Sequence, residues 1–116
     1  ELGYTLPLTK KTGIEAGLRY LSRTRERFSE KLPPEERLWF SLAAYNAGFG
    51  HVNDAIRLAK KQGLNPDLWF DNVERAMLML SQKEFYSKAR FGYVRGKEPV
   101  NYVRQIRDRY LGYVSL

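Results

Sequence analysis

A tyrosine and an asparagine stand at the end of the most apolar segment of this 116-residue chain. Residues 38–45 read Leu-Trp-Phe-Ser-Leu-Ala-Ala-Tyr, and a helix that is apolar on nearly every face belongs inside a fold. Asn46 follows, and then Gly48 and Gly50, which allow the chain to turn through positive φ. Tyr45 and Asn46 are therefore expected at the edge of a buried helix, where polar groups either bond locally or face a ligand.

The residue types alone favour the plainer of these two interpretations. In it, Asn46 is the C-cap of the helix and Tyr45 is a core ring whose hydroxyl is hydrogen-bonded. In the other interpretation, the hydroxyl and the amide face a bound substrate.

The single histidine, His51, offers little chemistry. The chain has no cysteine and no second histidine, which argues against a metal site. A Ser/His/Asp arrangement would need Asp54 or Asp108 to orient His51 beside a serine, and the spacing does not support it. We interpret His51 as a surface residue in the first turn of a helix, and we predict neither a metal nor a cofactor.

The elements that position these residues are all predicted to be helices, because no segment shows the alternation of a strand. Thr12 with Glu15, and Ser81 with Glu84, resemble capping boxes. A glycine-punctuated loop is predicted at 91–97. The fold class is all-α, with about six helices, predicted at residues 13–28, 34–47, 51–61, 65–80, 81–90 and from 98 onward.

The pattern also assigns the faces of the last predicted helices. The apolar residues of the fourth helix are expected inside, as are five residues of the last. These are Leu68, Trp69, Val73, Ala76, Met77 and Leu80, followed by Val100, Val103, Ile106, Tyr110 and Leu111.

The composition sets broad limits on function. The net charge is +7, which suits an anionic polymer, an anionic membrane face or nucleic acid. The basic residues are spread over several helices without a recognition helix, so we do not expect nucleic acid as a partner. No stretch approaches the length of a transmembrane helix. The absence of cysteine excludes disulfides but does not assign a redox compartment.

Three segments, taken in order, resemble the lytic murein transglycosylases, lysozyme-like enzymes that cleave bacterial peptidoglycan. Residues 44–48 match that family's Ala-Tyr-Asn-Ala-Gly motif. Residues 13–21 are similar to its IxxGxxYL helix, and residues 96–106 to its GxExxxYVxxI helix. Residues 81–96 resemble the F-type, membrane-bound branch, which joins a solute-binding-like domain to a C-terminal transglycosylase domain. The resemblance implies a lysozyme-like helical fold.

The family's catalytic acid has no counterpart in this sequence. That Glu lies in a Glu-Ser dipeptide, followed by a Gly-Leu-Met-Gln-like segment, and both precede the GxxYL helix. Here Glu1 is followed by Leu2. We therefore expect residues 1–116 to be the C-terminal part of a transglycosylase domain. The catalytic Glu would lie upstream, and this chain alone would be inactive.

A glycosidase acid needs an apolar setting that raises its pKa. Most glutamates in this sequence are not expected to be such an acid. Glu26, Glu30 and Glu74 are expected to face solvent. The remaining first-turn glutamates are interpreted as caps or dipole partners: Glu15, Glu35, Glu36 and Glu84.

Four residues are implied as substrate-binding by the resemblance: Tyr45, Asn46, Glu98 and Tyr102. Tyr45 and Asn46 match the pair beside the reacting sugar, and Tyr102 matches a Tyr whose hydroxyl points toward the catalytic Glu. Glu98 is assigned a groove or structural role and not the acid role. From the residues alone, Tyr102 is equally a core residue and Glu98 a helix-start carboxylate.

The resemblance implies non-hydrolytic cleavage of the bond between N-acetylmuramic acid (MurNAc) and N-acetylglucosamine (GlcNAc), which gives 1,6-anhydro-muropeptides. It implies peptidoglycan strands as the partner, whose lactyl and stem-peptide carboxylates suit a basic surface. The implied location is periplasmic and associated with the outer membrane. The alternative is a non-catalytic helical module that binds peptidoglycan or another protein.

The expected absence of the acid-bearing segment has a physical consequence. Some of Trp39, Phe40, Leu42 and Tyr45 should then face solvent. Burial of such a patch would favour self-association or pairing with the missing N-terminal segment.

Overall fold

The computed structural model describes residues 23, 26–28 and 30–114, and this part of the chain is all-α. The predicted helix at 13–28 and its Thr12–Glu15 capping box fall almost entirely outside these residues. Among the described residues of this range, Phe28 is buried in the core. Five α-helices lie in the described part: α1 (Pro34–Ala47), α2 (Phe49–Lys61), α3 (Glu74–Met79), α4 (Lys83–Tyr86) and α5 (Lys97–Val114).

Helix α1 has the bounds that the sequence predicts and forms the centre of the core. Pro34 opens it, and two glutamates in its first turn complement the positive end of its dipole. Trp39, Phe40 and Leu42 are buried, whereas Tyr45 is 42% exposed. Of the four residues among which we expected solvent exposure, only Tyr45 therefore shows it.

Helices α2 and α5 pack on α1, and their apolar faces close the core. Helix α2 begins two residues earlier than predicted and buries Val52, Ala55 and Ala59. It ends before Gly63, whose φ of +74° is the left-handed conformation expected of a glycine after a helix. The ring of Phe40 meets the indole of Trp69 edge-on at 5.8 Å, which joins α1 to the segment before α3.

The predicted helix at 65–80 is wrong in its first half. A π-helical turn at Trp69–Val73 contains non-helical backbone at Phe70 and Asp71, and α-helix begins only at Glu74. Side chains replace the helical hydrogen bonds there. Glu36 accepts the N–H of Trp69 at 2.8 Å, and Glu74 accepts the N–H of Asp71 at 3.2 Å.

Three smaller expectations are also corrected. The Ser81–Glu84 capping box does not form, because the Ser81 hydroxyl donates to the carbonyl of Leu78 and α4 spans only Lys83–Tyr86. Leu68 is 39% exposed, since it precedes the kink. Tyr110 and Leu111 are 56% and 49% exposed, since α5 extends beyond the core there.

The predicted loop at 91–97 is confirmed up to the start of α5 at Lys97. Among the described residues, no helix combines the length and the apolar character needed to cross a membrane.

Candidate functional site

Tyr45 and Tyr102 are brought together at the surface. Tyr45 lies in the last turn of α1 and Tyr102 in the second turn of α5, where that helix packs on α1. Their rings stack with centroids 6.2 Å apart and an interplanar angle of 26°. Tyr45 is exposed and Tyr102 is half-buried, so the pair presents one accessible aromatic surface.

Asn46 is not the helix cap that its residue type suggested. Helix α1 continues through Ala47, and the cap is Gly48, at a φ of +97°. The Gly48 N–H donates to the carbonyl of Ala44 at 2.8 Å, which closes the last turn. The Asn46 side chain is exposed beside Tyr45. Its amide is therefore not needed to end the helix.

Glu98 lies one turn before Tyr102 on α5, and residues four apart share a helix face. Glu98 is exposed, whereas Pro99 beside it is buried and fixes the start of the helix. The surface that we call the tyrosine face is thus defined by Tyr45, Asn46, Glu98 and Tyr102. Its residues lie at the end of α1 and the start of α5, and the two tyrosine rings are in contact.

Burial raises the pKa of the Tyr102 hydroxyl, and the neighbouring Tyr45 adds to the increase. The neutral hydroxyl is therefore favoured in the folded state. Its contribution to stability is complete below the unfolded pKa of about 10 and is lost as the pH rises through the higher folded pKa.

We expect Tyr102→Phe to make the folded protein less sensitive to alkali. Urea unfolding at pH 8 and above pH 10 checks this, and an unchanged pH dependence would contradict it.

The expectation that Glu74 faces solvent is wrong. Its side chain is only 4% exposed, and it accepts hydrogen bonds from Arg104 Nε at 2.6 Å and Arg104 Nη2 at 2.7 Å. This bidentate pair links α3 to α5, two residues from Tyr102. Both carboxylate oxygens already accept hydrogen bonds within the protein. Glu74 thus serves to fix α5.

Asp54 is a second buried acid that the sequence did not reveal. Only 3% of the residue is exposed, and its two oxygens accept the backbone N–H groups of Arg90 and Phe91 at 3.2 and 2.8 Å. Arg57 also donates to it. The one available signal was its position one turn before the apolar Leu58 on α2. Asp54 therefore holds the segment after α4 against α2.

The hydrogen bonds from the backbone of Arg90 and Phe91 to Asp54, which we call the Asp54 clamp, also place the ring of Phe91 over Gly50. A Cβ on Gly50 would come within 2.8 Å of that ring, so the close approach requires glycine. The His51 ring meets the Phe91 ring edge-on at 6.4 Å and is half-buried. The expectation that His51 is a surface residue is therefore wrong. Phe91 itself remains 51% exposed. Within the described residues, no group of three His, Cys, Asp or Glu side chains could hold a metal.

Comparison with known proteins gives one family. Residues 7–67 match the model of the transglycosylase SLT domain. The chain is 47% identical over 109 residues to the membrane-bound lytic murein transglycosylase F of Pseudomonas fluorescens Pf-5, covering 94% of this chain and 22% of that protein. The protein of the same name from Shewanella halifaxensis is 44% identical, with 91% of this chain and 24% of the relative covered. The chain thus spans less than a quarter of the length of these relatives.

Proposed function

Because the chain belongs to the transglycosylase SLT domain family, we propose that the tyrosine face lines a groove for peptidoglycan glycan strands. The observation that carries the proposal is the meeting of Tyr45 and Tyr102, with the exposed Asn46 amide beside them. The two phenols offer an aromatic surface to a sugar ring, and the amide can hydrogen-bond an N-acetyl group. Glu98 is proposed to face the same groove.

The reaction proposed for the whole protein is cleavage of the MurNAc–GlcNAc bond without water. An acid protonates the leaving oxygen of GlcNAc. The resulting carboxylate then takes the proton of the muramyl 6-hydroxyl, as that oxygen closes onto the anomeric carbon. The product is a 1,6-anhydro sugar. The Tyr102 hydroxyl, whose pKa burial raises further above neutral pH, is uncharged, so it can orient the acid without favouring the ionised form as a nearby cation would.

The acid itself is proposed to come from outside residues 1–116. None of the glutamates in this sequence is followed by serine. Among the described glutamates only Glu74 is buried, and it is bound to Arg104. We expect the isolated chain to release no anhydro-muropeptides from purified sacculi. Detection of anhydro products by mass spectrometry, from residues 1–116 alone, would contradict this.

Asn46→Ala tests the groove in the full-length protein. We expect activity to fall about ten- to hundredfold, because one hydrogen bond formed in the transition state contributes roughly 1.5–3 kcal/mol. The thermal midpoint should change little, since Asn46 is exposed and Gly48 caps the helix. Asn101→Ala is a matched control, because Asn101 is also an exposed helical asparagine. A large shift of the midpoint with unchanged specific activity would show that Asn46 is merely structural.

Binding by this chain separates the enzyme fragment from the alternative of a protein-interaction module. We expect soluble oligomers of N-acetylglucosamine to perturb the NMR signals of Tyr45 and Tyr102. Signals of the distant Tyr110 should stay unchanged. If no glycan perturbs the tyrosine face, the proposed function fails.

The relatives' name, membrane-bound, also leads us to propose a periplasmic, outer-membrane-associated protein.

A further inference from the structure

A cavity of about 280 Å³ lies between the second half of α2 and the segment that contains α4. Its lining residues come from these two elements, and we call the apolar ones the floor and the polar ones the rim. The floor consists of Leu58, Leu80, Phe85 and Ala89. The rim consists of Asp54, Arg57, Lys61, Gln62, Glu84, Lys88 and Arg90. Seven of the eleven lining residues are polar or charged, so the cavity is more polar than the usual small-molecule site and suits a ligand with a charged and an apolar part.

The rim carries a net positive charge, because its carboxylates are too few to neutralise its cations. It contains two carboxylates against four cations. The buried Asp54 is already satisfied by Arg57 and two backbone N–H groups. Over the described part of the chain, Lys61, Lys88 and Arg90 form no ion pair, which leaves Glu84 as the remaining competing acid. The cavity is therefore suited to an anion with a short aliphatic part.

Helix α2 begins near the tyrosine face, and its second half lines the cavity. This helix begins at Phe49, three residues after Asn46, and its cavity-lining residues lie between five (Asp54) and twelve (Lys61) residues further along it. At 1.5 Å per residue this is about 8 to 18 Å along the helix axis. An extended peptide of four residues spans about 13 Å. A stem peptide that leaves a sugar near Asn46 could thus place its far carboxylate in the cavity.

We propose that this cavity binds the terminal carboxylate of a peptidoglycan stem peptide, whose glycan lies on the tyrosine face. The inference rests on the proposed function. Lys61, Lys88 and Arg90 bind the carboxylate, and the floor receives the aliphatic side chain of the last residue. The Asp54 clamp positions the backbone of Arg90 at the cavity.

The test uses the 116-residue chain and three probes. The first is GlcNAc–MurNAc with its tetrapeptide, the second is the same compound with its peptide carboxylates amidated, and the third is the bare disaccharide. We expect the first probe to bind at least about tenfold more tightly than the other two, by calorimetry or NMR titration. Lys61→Glu combined with Lys88→Glu should remove this difference and leave the affinity for the bare disaccharide unchanged.

The matched control is Lys60→Glu combined with Lys83→Glu. It makes the same change of net charge on the same two elements, at exposed lysines that do not line the cavity. We expect its affinities to stay within about twofold of the unchanged chain. If the amidated probe binds as tightly as the free acid, or the control acts like the test variant, the cavity proposal is overturned while the groove stands. If no probe binds, both proposals fail.

Discussion

Replacing Arg104 by methionine is expected to lower the free energy of unfolding by about 3 kcal/mol. Methionine keeps much of the aliphatic stem but leaves the Glu74 carboxylate, which is 4% exposed, without its guanidinium. A buried charge without a partner costs far more than the intact pair contributes, because its desolvation is no longer compensated. Arg104 also lies near the ring of Phe70, at 5.6 Å, so the change loosens the kink before α3 as well.

The control for this prediction is Arg109→Met on the same helix. Arg109 is exposed, and no ion pair is seen for it within residues 34–114, so its replacement should cost less than about 0.5 kcal/mol. Urea unfolding at neutral pH measures both variants. Equal costs would show that Glu74 is solvated in solution and does not depend on Arg104. Arg104→Lys should recover only part of the loss, since lysine cannot form both hydrogen bonds.

The helices that could be predicted from the sequence are those whose ends are determined locally. Pro34 at the start of α1 and the glycines after α1 and α2 act within a few residues of themselves. The helix predicted at 65–80 failed because its kink depends on a distant group. Glu36 accepts the Trp69 N–H from 33 residues away in sequence, and no local pattern contains that bond.

The two buried acids show the same limit at the site. A charged residue in an amphipathic helix is normally interpreted as exposed, and Glu74 fits that pattern until its partner Arg104, 30 residues away, is known. Asp54 is likewise explained only by the backbone of Arg90 and Phe91. The resemblance assigned Tyr45 and Tyr102 to one substrate site, but it did not predict that their rings stack. Helical periodicity alone could not bring together residues from α1 and α5.

Gly96 controls how α5 meets α3, and Gly96→Ala is expected to have the other largest effect. Gly96 is buried immediately before α5. A Cβ there would lie 2.7 Å from the carbonyl carbon of Met77, 2.9 Å from Leu78 Cα, and closer still to the Met77 oxygen. These are backbone atoms inside or beside a helix, which cannot rotate aside as a side chain can. The start of α5 must therefore move.

We expect Gly96→Ala to destabilise the protein by about 3 kcal/mol, at the upper end of the usual cost of overpacking. Gly112→Ala is the matched control, because Gly112 lies within α5, further along the same segment, with nothing within 4 Å of its added Cβ. There alanine should stabilise by about 0.5–1 kcal/mol, through its higher helix propensity. Opposite signs in urea unfolding are thus expected for one substitution at two positions. If Gly96→Ala is neutral, α5 does not sit this close to α3.

The displacement should also reach the candidate site. Tyr102 lies in the second turn after Gly96, so a shift at the start of α5 moves its ring away from Tyr45. In the folded fraction of Gly96→Ala, we expect the NOEs between the two rings to weaken and glycan affinity to fall. Gly112→Ala should preserve both. If the NOEs persist while affinity falls, the two tyrosines do not form the binding surface, because glycan binding would then be lost without any change in their geometry.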